Sequence, residues 1–66
     1  MKIHINGKER DVADGATIES LLTELQIDRR YCAVERNLTL VPREEHAACC
    51  LENGDQIEVV TLVGGG

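Results

Sequence analysis

Ile18, Leu21, Leu22 and Leu25 recur at i, i+3, i+4 and i+7, which lays one apolar stripe along an amphipathic helix. A stripe of this kind must be buried against another element, and the rest of the chain reads as strands. Ile3 and Ile5 alternate with Lys2, His4 and Asn6, the period of a half-buried strand. Asn6-Gly7 is the strongest short hairpin signal, and residues 8–12 return from it. That return strand has Val12 as its one clear apolar residue, so its charges suit an exposed edge. Thr17 stands where an N-cap hydroxyl is needed, and Glu19 in the first turn suits the helix dipole.

Asp28-Arg29-Arg30 is expected to break the helix. Cys32 and Val34 alternate with Tyr31, Ala33 and Glu35, which predicts a third strand running to Arg36 and turning at Asn37. Residues 38–41 form a short apolar run stopped by Pro42, which cannot donate within a central ladder. Residues 43–50 read as a helical turn followed by a loop, and Asn53-Gly54-Asp55 as a turn into a final strand over 56–62. A hairpin, one covering helix and two or three further strands, the last beside the first, predict an α+β fold. It is the β-grasp, or ubiquitin-like, fold: a mixed sheet of four to five strands packed on one main helix. The expected organisation is a single domain over 1–63 and a flexible glycine tail over 64–66.

A chain of 66 residues buries only ~60% of its unfolded surface, leaving little room for an enclosed active site. Hydrophobic residues at 42% suffice for one core. Tyr31 is the lone aromatic, so stacking platforms for single-stranded nucleic acid are missing. Twelve carboxylates against seven Lys and Arg, a net charge of −5, argue against a phosphate-backbone partner and favour a basic protein surface. No apolar run approaches the ~20 residues of a membrane span, and the alternating N-terminus is unlike a signal peptide. A cytoplasmic monomer with neither nucleic acid nor membrane as partner is expected.

Three cysteines, with Cys49 and Cys50 adjacent, make no disulfide framework, and no pair has zinc-ligand spacing. Buried or half-buried thiols in a reducing compartment are expected, with sulfur handling by Cys49 and Cys50 as the alternative. His4 and His46 lack a paired nucleophile and read as solvent-exposed or incidental, and Glu44-Glu45 beside His46 as solvated surface rather than a metal site. With no Gly-x-Gly-x-x-Gly or Walker loop, any ATP must be bound by a partner. The chain therefore reads as something acted upon, not as an enzyme.

Gly64-Gly65-Gly66 is the place most prepared for chemistry. Glycine lacks Cβ, and three extended residues reach roughly 10 Å, enough to thread a narrow nucleotide site. A frayed end is the alternative. In the final strand Ile57, Val59 and Thr61 point one way and Glu58, Val60 and Leu62 the other. Val60 and Leu62 beside the tail thus form a candidate docking patch, unless a loop covers them.

Along its full length the chain resembles the ThiS family, the sulfur carrier proteins of thiamin biosynthesis. The resemblance rests on Asn6-Gly7, Leu21-Leu22, Val34-Glu35-Arg36-Asn37, Val41-Pro42-Arg43, Gly54-Asp55-Gln56-Ile57-Glu58-Val59-Val60 and Val63-Gly64-Gly65-Gly66. It departs at His46, where an aromatic such as Trp is frequent, and over 47–50. The resemblance implies a chain that binds no cofactor and serves as a covalent cosubstrate. A ThiF-like adenylating enzyme using ATP and Mg²⁺ would activate the Gly66 carboxylate. A persulfide protein would then convert it to a thiocarboxylate, and thiazole synthase would receive the sulfur. Gly64 and Gly65 would thread the tail, with Val60, Leu62 and Val63 docking. Rival readings are a carrier like the small subunit of molybdopterin synthase, a ubiquitin-like modifier and a plain β-grasp binding module.

Overall fold

The computed structural model describes residues 1–62. Strand β1 (Lys2–Ile5) and strand β2 (Lys8–Asp11) form the expected hairpin, with Ile3 opposite Arg10 and His4 opposite Glu9. Asn6 and Gly7 take φ of 50° and 83°, the left-handed pair that a two-residue hairpin loop requires. Helix α1 (Ile18–Glu24) follows, then β3 (Cys32–Arg36), β4 (Thr39–Val41) and β5 (Gln56–Thr61). The sheet order is β2-β1-β5-β3-β4. β5 runs parallel to β1 and antiparallel to β3, so the last strand lies at the centre, as the sequence predicts. This is the mixed five-stranded sheet on one helix of a β-grasp.

The inward rows of the sheet (Ile3, Cys32, Val34, Ile57, Val59) meet Ile18, Leu21 and Leu22 of α1, with Val12, Ala16 and Leu51 closing the sides. Burying each large aliphatic side chain contributes about 1.5–3 kcal/mol, and with no Phe or Trp these aliphatics hold the domain together.

Both ends of α1 are set by local chemistry. Thr17 Oγ1 accepts from the Ser20 amide at 3.1 Å, and Ser20 Oγ accepts from the Thr17 amide at 2.9 Å, a reciprocal capping box. The helix ends before Asp28-Arg29-Arg30, the breaker expected from the sequence. Gln26 adopts φ of 59°, while the Gln26 and Ile27 amides reach back to the carbonyls of Thr23 and Leu22. That is a Schellman stop, with glutamine where glycine is usual. Asp28 instead caps a 3-10 turn, Arg29–Tyr31; hydrogen bonds from the Arg30 side chain, then from its amide, lower the Asp28 carboxyl to about 2.

The segment over 43–50 caps the helix from outside. It opens with a 3-10 turn, Arg43–Glu45, and its carbonyls at His46 and Cys49 accept the Glu19 and Ile18 amides, both at 3.1 Å. Two of the free amides of the first turn are thereby satisfied. The expectation of an exposed or incidental His46 is corrected here, because its side chain is only 1% exposed. Nε2 lies 3.2 Å from the Val41 carbonyl, which can only accept, so the ring proton resides on Nε2. Nδ1 is buried without a partner among the described residues. The imidazole fills the corner where the segment turns toward α1. His46→Ala is expected to lower stability by about 2 kcal/mol through the lost bond and the cavity, as read by urea denaturation. A loss under 0.5 kcal/mol would show that the corner collapses freely.

Candidate functional site

β5 carries the residues nearest the tail, and its central position fixes them from both sides. On one side Cys32, Ala33 and Val34 pair with Thr61, Val60 and Val59. On the other, β1 ends at Ile5, and the Asn6 side chain takes over the ladder. Its Oδ1 accepts from the Val59 amide at 2.8 Å and its Nδ2 donates to the Val59 carbonyl at 3.2 Å. The hairpin turn residue thus also clamps β5. Beyond the strand the Leu62 amide donates to the Tyr31 carbonyl at 2.6 Å, which sets the direction in which the chain leaves the sheet.

Alternation along β5 places Ile57 and Val59 in the core and leaves Val60 and Leu62 58% and 52% exposed. No loop covers this pair in the described structure. Val60 and Leu62 share the outer face with Ala33 and Glu35 of β3, and Leu40 of β4 extends the apolar area. The other proposed site residues, Val63, Gly64, Gly65 and Gly66, lie outside the described residues. The root of the tail is flanked by cations: Arg30 sits over the Tyr31 ring at 5.3 Å, and Arg43 Nη2 donates to the Arg30 carbonyl at 3.5 Å. Arg29, Arg43 and Glu44 line an open groove beside them.

Asp55, at the entrance to β5, is a residue the sequence reading passed over as part of a turn. It is 6% exposed and accepts on both oxygens. Oδ2 takes Arg36 Nε at 2.9 Å and the Glu52 amide at 2.8 Å, and Oδ1 takes Asn37 Nδ2 at 3.1 Å. Burial pushes this carboxyl up, yet the hydrogen bonds and the Arg36 charge outweigh it and hold it below its ordinary value. The Asn53-Gly54-Asp55 turn gave no hint of burial; the signal was Arg36 on the inward row of β3 with Cys32 and Val34.

The cysteines divide three ways. Cys32 is buried, and burial raises its thiol; Cys49 is half-buried, its Sγ accepting from Arg36 Nη1 at 3.5 Å. Cys50, whose backbone bridges to Thr17, is exposed, contrary to the expectation of buried or half-buried thiols. Glu44 and Glu45 do not join His46, whose ring is turned inward toward Val41. Among the described residues no group of three His, Cys, Asp or Glu side chains could hold a metal ion. No helix among them is long and apolar enough to cross a membrane.

Known proteins place this arrangement in context. The ThiS family profile matches residues 3–66. A thiazole synthase of Paramagnetospirillum magneticum is 47% identical over the 66 residues, and the chain spans only 20% of that protein's length. The sulfur carrier protein ThiS of Escherichia coli is 33% identical, with 100% of both chains covered. The crystal structure of a thiamine biosynthesis protein (ThiS) from Geobacter metallireducens superposes with a TM-score of 0.84 at 32% identity, again over 100% of both chains. A β-grasp whose central strand presents Val60 and Leu62 at the root of a glycine tail, matched end to end by carriers of its own length, belongs to the ThiS family.

Proposed function

We propose that this chain is a sulfur carrier for thiazole formation in thiamin biosynthesis, with the Gly66 carboxylate as the carrying group. The observation that supports it best is the end-to-end match to a sulfur carrier protein, including the three terminal glycines within the family match. In this reading an adenylating partner binds ATP and Mg²⁺. A Gly66 carboxylate oxygen attacks the α-phosphorus and displaces pyrophosphate, giving an acyl-adenylate. A persulfide sulfur on a donor protein then attacks the carbonyl carbon and expels AMP. A thiol cleaves the resulting acyl disulfide, leaving the thiocarboxylate on Gly66 and a disulfide on the donor. The sulfur passes to thiazole synthase, a partner supported by the occurrence of this domain within proteins of that name.

Each part of the chain has a task in this scheme. Gly64 and Gly65 add reach without side chains, so the tail can enter a narrow nucleotide site. Val60, Leu62 and Val63 dock the domain, and the clamp of Asn6 on Val59 keeps the tail's root stationary while its end reacts. The carrier itself supplies no catalytic group.

Intact mass spectrometry after incubation with ATP, the adenylating enzyme and a sulfur donor tests this reading. The expected result is one oxygen exchanged for sulfur, with fragments assigning the change to Gly66. No change, with an enzyme active on another carrier, would overturn it. High-mass conjugates through lysine in place of a free thiocarboxylate would instead make the chain a protein modifier.

A further inference from the structure

Glu35 on β3 and Glu58 on β5 stand directly opposite one another on the outer face of the sheet. At such positions Cβ atoms lie ~4.5–5.5 Å apart, and like charges destabilise the pairing. Both are exposed, and among the described residues neither joins a salt bridge. The neighbouring half of the same face is built differently. There Lys2 answers Asp11 at 3.1 Å and Glu9 at 3.6 Å, and Gln56 Nε2 lies 3.2 Å from His4 Nδ1. Apolar groups border the unanswered carboxylates on two sides: Leu40 lies opposite Glu35, and Ala33 with Val60 forms the next row, while Asn37 and Gln56 form the row on the other side. Leu40 and Val60 are 62% and 58% exposed.

We propose that this face docks the adenylating partner, and that the Glu35–Glu58 pair receives a cationic side chain, an arginine or lysine, that the partner inserts among Leu40, Val60 and Leu62. The assignment rests on the carrier reading above and specifies how its partner is recognised. Two adjoining carboxylates bordered by Leu40 and Val60 match a cation with an apolar flank of its own, and the chain's net charge of −5 steers toward such a surface. Continuity selects the partner, since Leu62 ends this face two residues before the first of the terminal glycines. A protein that swallows the tail must lie against it. The like-charge repulsion of the free carrier is relieved only in the complex, which adds to the difference between bound and free states.

Direct titration into the adenylating enzyme of the same organism, without ATP and at low and high salt, tests the proposal. The Glu35→Gln/Glu58→Gln chain is expected to melt a few degrees higher than wild type, because the repulsion is gone. It should bind about 10-fold or more weakly, with most of its salt dependence lost. Glu58→Lys, which can pair with Glu35 within the chain, should stay folded and lose binding further. Unchanged affinity and salt dependence in both variants would overturn the assignment, as would a wild-type chain that does not bind. A wild-type chain that binds with the expected salt dependence yet is never adenylated would uphold the docking face and overturn the carrier reading instead.

Discussion

Deleting Gly66, or adding one residue after it, is expected to abolish adenylation while leaving thermal melting unchanged. The two halves of the result have separate causes. Every described member of the buried core lies between Ile3 and Val59, and glycine has no side chain to add to it. Chemistry at the end of a threaded tail depends on length alone. One residue moves the reacting carboxylate by ~3.3–3.6 Å, whereas misplacement by ~1 Å can already cost 10²-fold in rate. Pyrophosphate exchange with ATP should therefore fall by at least about 10²-fold in both variants. Exchange at the wild-type rate in either would show that Gly66 is not the group activated.

The second large effect is expected at Asp55. Asp55→Asn retains the shape but replaces one acceptor oxygen by an NH₂ group, and all three partners of the carboxylate are donors. One donor is left facing another, and Arg36, whose side chain is 24% exposed, loses its buried counter-charge and keeps only the exposed Glu52 at 3.4 Å. Breaking a buried pair costs about 3–5 kcal/mol, and solvent at Arg36 puts this case near 3 kcal/mol, a large share of a small domain's stability. The sign of the pH dependence follows from the lowered carboxyl. Stability from a depressed carboxylate is fully present above its unfolded value, 3.8, and is lost as pH falls through the lower folded value. The gap between wild type and Asp55→Asn in urea denaturation should stay constant near neutrality and narrow below about pH 4. A gap that persisted unchanged at pH 2 would mean that shape, not charge, sets it.

Much of this fold was legible because its signals are local. Asn6-Gly7, the Thr17 cap and the Ile18–Leu22 stripe each specify their own element, and alternation in β3 and β5 separates core from surface one residue at a time. The β3–β4 hairpin was harder to read. Its loop residues Asn37 and Leu38 adopt φ of 51° and 70°, the same left-handed pair as Asn6-Gly7, but leucine stands where glycine would have announced the turn. The inward turn of His46 and the burial of Asp55 depend on contacts across the fold: a Val41 carbonyl in one case, Arg36 and Asn37 in the other. Spacing around His46 and Asp55 themselves carries no trace of them, and the one hint was Arg36 on the inward row of β3. Nor does spacing carry a trace of the exposure of Cys50. Of the candidate site, Val60 and Leu62 were legible from alternation, whereas the opposition of Glu35 and Glu58 required the register.

The central placement of β5 also governs the order in which the protein comes into being. Without that strand, β1–β2 and β3–β4 are two hairpins with no shared ladder. A ribosome-bound chain must therefore wait, its aliphatic rows uncovered, until Gln56–Thr61 emerges and zips the halves together. Since Val60 belongs to that strand, the outer apolar face is completed only when β5 pairs with β3. Chains broken off before Gln56 would keep two separate hairpins and have no finished sheet on which Ala33 and Val60 could pair.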